Sequence, residues 1–213
     1  AQGNTITARE ILDTGAEKID TELKGQPMVQ ARLMVTMGRV YRGLGLYNQA
    51  RSLLENALAV RRNELGEDAL PVADSEEELA SLFDATGDYS TARPLFEHAL
   101  AAREKHLGPD HPEVGRTVNN LANLLRQMGD FEHAKPLCER ALAIREKTLG
   151  PDHPDVSNSL NGLAIVLEAL GDYKGALPLY ERALAIREKA LGRDHPQVAT
   201  SLNNLATLYW FMG

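Results

Sequence analysis

The sequence repeats itself with a period of 42 residues, and this period restricts the fold more than any other feature. A Gly-x-aromatic motif marks each step, starting at Gly45, Gly87, Gly129 and Gly171. The same spacing recurs in one set of alanines: Ala57, Ala99, Ala141 and Ala183. Such regularity predicts a tandem array of one supersecondary unit, in which each unit buries its apolar face against its neighbours.

Residues 112–149 indicate that each unit consists of two helices. Pro112 suits the first turn of a helix, where its missing N–H is harmless. Gly129 can adopt the positive φ that ends this helix, and Asp130 is a good N-cap for the next. Apolar residues recur at spacings of three and four in both segments: Val114, Val118, Leu121, Ala122 and Leu125, then Ala134, Leu137, Cys138, Ala141, Leu142 and Ile144.

The register predicts ten helices in a single array over 1–213. The array comprises a half unit 5–24, full units 28–65, 70–107, 112–149 and 154–191, and a half unit 196–213. Because the chain starts without Met and stops at Gly213 in mid-pattern, we expect it to be a fragment of a larger protein. Three prolines within second helices predict a distorted first turn, whereas Ser52 holds this place in the first unit: Pro94, Pro136 and Pro178.

Composition excludes several classes of function. A net charge of −7 argues against nucleic-acid binding, since phosphate backbones attract basic proteins. No apolar run reaches the ~20 residues that span a bilayer, so we expect no membrane contact. Cys138 is the only cysteine, so no internal disulfide can form, and we expect a cytoplasmic protein.

The residue types resemble those of tetratricopeptide repeats rather than HEAT repeats, which have a similar period. Leu121-Ala122-x-x-Leu125, Gly129-Asp130-Phe131 and Ala134 follow the tetratricopeptide order of large, small and aromatic residues. The stretch from Ala141 to Val156 resembles the 42-residue repeat of kinesin light chains and their bacterial relatives. The N-terminal stretch 8–19 is similar to repeat regions of some bacterial serine/threonine kinases. The resemblance implies an all-α fold, a right-handed superhelical solenoid of antiparallel helix pairs.

The second full repeat, residues 70–107, departs from this pattern together with the loop before it. It has Asp68-Ala69-Leu70-Pro71 where others have Asp-His-Pro, and Glu77-Glu78 where others have two asparagines. We expect the fold to survive because the apolar positions hold. The asparagine contacts of the family cannot be carried over to this unit.

We expect no catalytic residue, no metal and no cofactor. The histidines of Asp-His-Pro lie about one helix pair apart, too far to share an ion: His111, His153 and His195. We interpret the preceding aspartates as caps of the next helix: Asp110, Asp152 and Asp194. Cys138 occupies the place of Phe96 and Tyr180, which predicts a buried thiol rather than a nucleophile.

One set of arginines also recurs at the repeat spacing: Arg61, Arg103, Arg145 and Arg187. We expect each to form an exposed ion pair between repeats, a contact that contributes little alone.

The resemblance implies that the first helix of each unit lines a concave groove for a peptide. Outward positions on these helices give the candidate groove residues: Arg32, Arg39, Arg42, Glu78, Arg116, Asn119, Asn120, Asn123, Arg126, Asn161, Asn203 and Asn204. Val35 and Glu77 are assigned to the same face. The hypothesis is that an extended peptide with an acidic stretch lies over the third unit, held by Arg116 and Arg126. A solvated face without a ligand is the alternative.

Three functions follow from these patterns. The leading interpretation is a non-catalytic scaffold that binds a protein or peptide. A second is the regulatory repeat region of a bacterial signalling enzyme, such as a serine/threonine kinase. A third is self-assembly through the last helix, where we expect four side chains to lack a covering helix: Leu202, Leu205, Leu208 and Tyr209.

Overall fold

A computed structural model describes residues 8–23 and 25–213, and these residues form ten α-helices and no strand. The helices are α1 (Ala8–Glu22), α2 (Pro27–Gly43), α3 (Tyr47–Leu65), α4 (Leu70–Ala85), α5 (Tyr89–Leu107), α6 (Pro112–Gln127), α7 (Phe131–Leu149), α8 (Pro154–Ala169), α9 (Tyr173–Leu191) and α10 (Pro196–Met212). The predicted all-α class is confirmed. We call the even-numbered helices A helices and the odd-numbered ones B helices.

On a larger scale than the repeat, the chain divides into two compact parts, each of which contains several helices. Residues 1–102 are called unit 1 from here on, and residues 103–213 are called unit 2. Within each unit, helices that follow one another in sequence pack together, as in α2 on α3 and α8 on α9. In unit 2 the core contains Ala122, Cys138, Ala164 and Tyr180, all less than a tenth exposed. Alanine at the A-helix positions lets the neighbouring B helix approach closely, so the small and large residues of the repeat fit together.

The turns within each helix pair follow the predicted chemistry. Gly129 has φ of 77°, a conformation that side chains with a Cβ disfavour. The carboxylate of Asp130 accepts a hydrogen bond from the backbone N–H of His133 and caps α7. Asp172 caps α9 in the same way. The Asp130 cap was predicted from the sequence and is confirmed.

The caps between repeats differ from the prediction. The N-caps of α6, α8 and α10 are the histidines, not the aspartates before them: His111, His153 and His195. Each imidazole Nδ1 accepts from the backbone N–H two residues later, as in Asp155 N–H to His153 at 3.1 Å. Asp110 and Asp152 instead accept from Lys147 and Lys189 of the following B helix. The prediction of aspartate caps was wrong because histidine one residue later reaches the free N–H groups first.

The helices with internal prolines are continuous. Helix α7 runs from Phe131 to Leu149 through Pro136, and α5 and α9 likewise contain Pro94 and Pro178. The proline lies in the second turn, where it removes one intrahelical hydrogen bond. The predicted distortion of the first turn of these helices stays a prediction.

Four arginines, three buried and Arg145 half-buried, overturn the expectation of exposed ion pairs. Each is on a B helix and donates to a hydroxyl 14 residues later on the next A helix: Arg61 to Ser75, Arg103 to Thr117, Arg145 to Ser159 and Arg187 to Ser201. Arg61, Arg103 and Arg187 are at most 7% exposed, and burial lowers the pKa of Arg61 and Arg187 from the ordinary value. The arginines therefore join a B helix to the next A helix inside the packing.

Candidate functional site

The A-helix face of unit 1 contains a carboxylate held by two arginines. Glu78 on α4 accepts from Arg39 Nε at 2.8 Å and from Arg42 at 3.3 Å, both on α2. The Glu78 side chain is only 12% exposed, whereas that of Arg39 is 50% exposed. The basic residues of α2 and the acidic residue of α4 thus pair with and neutralise one another here.

Other predicted positions of unit 1 are divided between surface and core. Arg32 is exposed on α2. Val35 and Glu77 are both 4% exposed, so their assignment to an outward face was wrong. Val35 belongs to the apolar stripe of α2, which also contains Ala31 and Met34.

The A-helix face of unit 2 is lined by asparagines in hydrogen bonds. Asn204 Nδ2 on α10 donates to Asn161 Oδ1 on α8 at 2.7 Å. Asn119 Oδ1 on α6 accepts from the guanidinium of Arg145 at 3.0 Å. Asn120 and Asn123 are half-buried, and Asn203 is exposed. Since an amide has two donors on nitrogen and an acceptor on oxygen, each of these side chains can form hydrogen bonds with more than one partner.

The two predicted carboxylate-binding arginines of unit 2 have different surroundings. Arg116 is 44% exposed and forms an ion pair with Glu113 on its own helix. Arg126 is half-buried, and its charge acts on Tyr180 and Cys138. Burial and a hydrogen bond to Glu168 raise the pKa of Tyr180, and the Arg126 charge opposes that rise only in part. Any acidic ligand at Arg116 would compete with Glu113.

Unit 1 also has a cleft that the sequence did not predict. Helices α3, α4 and α5 enclose about 450 Å³ over an apolar floor of Leu58, Leu79 and Phe83. The guanidinium of Arg51 lies 5.2 Å from the centre of the Phe83 ring and pairs with Glu55. The arginine therefore covers part of the apolar floor through a cation–π contact.

Glu76 is a second feature that the sequence interpretation missed. Its side chain is fully buried between Arg62 of α3 and His98 of α5. The same repeat position holds Val118 and Leu160 in unit 2, both fully buried. A carboxylate at a position that is apolar elsewhere in the same chain was the signal available in the sequence.

The described residues contain no group of three His, Cys, Asp or Glu side chains that could hold a metal ion. Cys138 is buried, and burial raises the pKa of its thiol to about 11. A thiol with this pKa is a poor nucleophile at neutral pH. No helix among residues 8–23 and 25–213 has the length and apolarity needed to cross a membrane.

The C-terminal end of α10 exposes large apolar side chains. Leu202, Tyr209 and Trp210 are at least half exposed, and Phe211 stacks on Tyr173 with 5.7 Å between ring centres. Leu205 and Leu208, by contrast, are at most 8% exposed and belong to the core of unit 2. The prediction that these two leucines lack a cover was wrong, because α9 already covers them.

A family model described as "Tetratricopeptide repeat" matches residues 29–105, 91–137, 113–189 and 160–213. These matches together cover most of the sequence. A search of curated protein sequences finds no significant match.

Several solved structures are similar to this chain. A kinesin-light-chain-type protein of Podosopora anserina with nearly identical TPR-like repeats is 30% identical, with a TM-score of 0.77 over 89% of both chains. BtubC (BKLC) from P. vanneervenii is 24% identical, with a TM-score of 0.82 over 98% of this chain and 85% of that one. Aspartyl phosphate phosphatase F from Bacillus subtilis is 16% identical, with a TM-score of 0.75 over 94% of this chain and 49% of that one. At these last two identities the likeness extends to the fold alone.

Proposed function

The chain belongs to the tetratricopeptide repeat family, and from this premise we propose that it is a non-catalytic scaffold that binds a protein or an extended peptide on its A-helix faces. The observation that supports this most is the row of asparagines on α6, α8 and α10 in unit 2. Asn161 and Asn204 already pair across two A helices, so amides at this face are positioned rather than free to rotate.

Such amides suit the backbone of an extended peptide. An Asn side chain presents an acceptor and two donors, which match the N–H and C=O groups that an extended segment leaves unpaired. Asn123 and Asn203 lie on the same A helices as the asparagines in described bonds. We propose that these amides bind main chain and that neighbouring charged residues select the sequence.

The positive charge on α6 is the reason why we propose an acidic stretch in the ligand. Arg116 is exposed and its present partner, Glu113, belongs to the same helix, so exchange for a ligand carboxylate leaves α6 intact. In unit 1, Arg39 and Arg42 already hold Glu78. The acidic stretch is therefore assigned to the third repeat, over Arg116 and Arg126, rather than to the first.

A peptide array of acidic and neutral sequences tests the proposal. We expect Arg116→Ala/Arg126→Ala to lose most binding of acidic peptides, and Asn123→Ala/Asn203→Ala to weaken all peptides alike. The matched control is Arg93→Ala/Arg193→Ala, which removes the same charge from an exposed site on α5 and from the loop after α9. Unchanged binding of acidic peptides by the first variant would contradict the assignment of the acidic stretch to Arg116 and Arg126. If no form of the protein bound any peptide, the proposed scaffold function would be wrong.

The exposed apolar end of α10 supports a second candidate, self-association. Tyr209, Trp210 and Phe211 together present an apolar surface of a kind that soluble proteins usually bury. We expect light scattering to detect larger species that dissociate on dilution, and Trp210→Ser to reduce them. A monomer at every concentration would remove this candidate.

We propose, as a further alternative, that the same face belongs to the regulatory region of a bacterial signalling enzyme. We also propose a cytoplasmic location, because the single cysteine of the chain forms no internal disulfide. A catalytic domain in the reading frame that contains this segment would favour the regulatory role. Its absence there would leave the scaffold as the whole function.

A further inference from the structure

Three ionic side chains join α3, α4 and α5 in unit 1. Arg62 on α3 donates to Oε1 of Glu76 at 2.8 Å, and Nδ1 of His98 on α5 lies 2.7 Å from Oε2. Glu76 on α4 is fully buried, whereas Arg62 and His98 are 37% and 41% exposed. Both oxygens of the buried carboxylate therefore have a partner from a different B helix.

The equivalent positions in unit 2 have the opposite arrangement. There a glutamate and an arginine pair directly across neighbouring B helices, Glu104 with Arg140 and Glu146 with Arg182. The A-helix residues at the repeat position of Glu76 are apolar there, Val118 and Leu160. Unit 1 thus differs at all three positions together: its two B-helix residues are both basic, and the anion comes from the A helix.

This difference bears on how a repeat protein folds. Helices from tandem repeats present similar apolar stripes, so a helix can pack against the wrong repeat or against another chain. Apolar contacts alone discriminate poorly between such alternatives, and charged or polar groups that suit only one partner provide the discrimination.

We propose that Arg62, Glu76 and His98 act as a register key, meaning a set of side chains that allows α3, α4 and α5 to pack with one another and with no equivalent helix of unit 2. If α4 took the place of α6 or α8, Glu76 would lie beside the Glu104–Arg140 or the Glu146–Arg182 pair, so that one arginine would face two carboxylates. A fully buried carboxylate that must share its cation with a second carboxylate is disfavoured relative to one whose two oxygens each have a partner of their own, as those of Glu76 have in Arg62 and His98. The key therefore penalises wrong pairing rather than adding stability to the correct one.

Removing the key is the first test. Arg62→Glu/Glu76→Leu/His98→Arg copies the pattern of Glu146, Leu160 and Arg182, and so keeps charge pairing and burial while making the repeats alike. After dilution from denaturant, we expect several-fold more dimer and higher oligomer than for the original chain, measured by size exclusion with light scattering. The control is Arg93→Glu/Glu97→Arg, which reverses an exposed i,i+4 pair on α5 and should refold like the original chain.

Duplicating the key is the second test, and it leaves unit 1 unchanged. Glu146→Arg/Leu160→Glu/Arg182→His places the same three residues in unit 2, so each Glu finds a suitable partner in either unit. We expect misassembled oligomers to increase here as well. Refolding as clean as that of the original chain by this variant overturns the proposal, whatever the first variant does. So does failure of both variants to form helix, because a key must be transferable between equivalent positions.

Discussion

The guanidinium of Arg187 donates to the hydroxyl of Ser201 at 2.7 Å, inside the contact between α9 and α10. The same guanidinium donates to the Ser157 hydroxyl, to the Asn158 side chain and to the Gln197 carbonyl. The Arg–hydroxyl pair recurs three more times in the chain. One repeat before the first pair, the corresponding positions hold Ile19, which is buried, and Leu33, which is 37% exposed. In the four repeats that have a hydroxyl residue at the second position, the first position is arginine. In the repeat that has Leu33 at the second position, the first position is Ile19.

Replacing Arg187 by Ile should destabilise unit 2 by about 2 kcal/mol, because the hydroxyl and the Asn158 side chain lose a charged donor in a buried place. The double variant Arg187→Ile/Ser201→Ala removes both partners and should cost less than the two single changes together, because no buried hydroxyl is left without its donor. Urea denaturation followed by circular dichroism measures both. If the two single changes add without coupling, the link between these residues does not exist.

Helix positions were predictable because the periodicity of apolar residues and the turn glycines both mark them. The predicted full unit 28–65 corresponds to α2 and α3, which end at Leu65, and the start at Pro112 agrees with α6. These features depend on local backbone chemistry, which a sequence records directly.

The environment of the charged residues was harder to predict, because a 42-residue period fixes where a residue recurs and not which side it faces. Arg187 was expected at the surface since arginine is mostly exposed. The signal that could have corrected this is Ser201, whose equivalents recur in step with the arginines 14 residues earlier. The pairing of Glu78 with Arg39 on the candidate site depends on tertiary packing, and no local pattern shows it.

Mutation of a capping histidine should destabilise the protein more than mutation of the aspartate that precedes it. His153→Ala removes the acceptor for the Asp155 N–H and should cost about 1 kcal/mol, whereas His153→Asn should retain most of the cap. Asp152→Ala loses only an exposed contact with Lys189 and should cost less than ~0.5 kcal/mol. Thermal melts of the three variants provide the comparison. A larger loss from Asp152→Ala than from His153→Ala would restore aspartate as the cap.

Two helical glycines should respond oppositely to alanine. A Cβ at Gly162 on α8 meets nothing within 4 Å, so Gly162→Ala should stabilise by up to about 1 kcal/mol through helix propensity. A Cβ at Gly38 on α2 would lie 2.7 Å from Cγ of Leu54, which is fully buried. Gly38→Ala should therefore destabilise by about 1–2 kcal/mol despite the same gain in propensity.

The next repeat suggests a second substitution that should restore stability to the Gly38→Ala variant. Ala80 and Phe96 occupy the positions of Gly38 and Leu54 in the next repeat, and both are buried. We expect Gly38→Ala/Leu54→Phe to be more stable than Gly38→Ala in urea denaturation. If the double variant is weaker than the single one, the steric explanation fails.

Cys138 should make unit 2 sensitive to alkaline pH. Burial raises the pKa of its thiol from 9.0 to about 11, so the unfolded chain loses the proton before the folded chain does. The stability that the neutral thiol contributes is complete below pH 9 and is lost as the pH rises to about 11. The free energy of unfolding should fall by roughly 2–3 kcal/mol across this range, at 1.36 kcal/mol for each pKa unit.

Tyr180 also has a raised pKa, so the thiol must be isolated by difference. Cys138→Ala removes the thiol and leaves Tyr180 in place, and urea denaturation of both chains from pH 8 to pH 11 gives the difference in stability at each pH. We expect the variant to be the less stable chain at pH 8, because a buried side chain has been truncated, and this deficit to shrink steadily above pH 9. A deficit that stays constant over the whole range would show that the thiol does not titrate with a raised pKa.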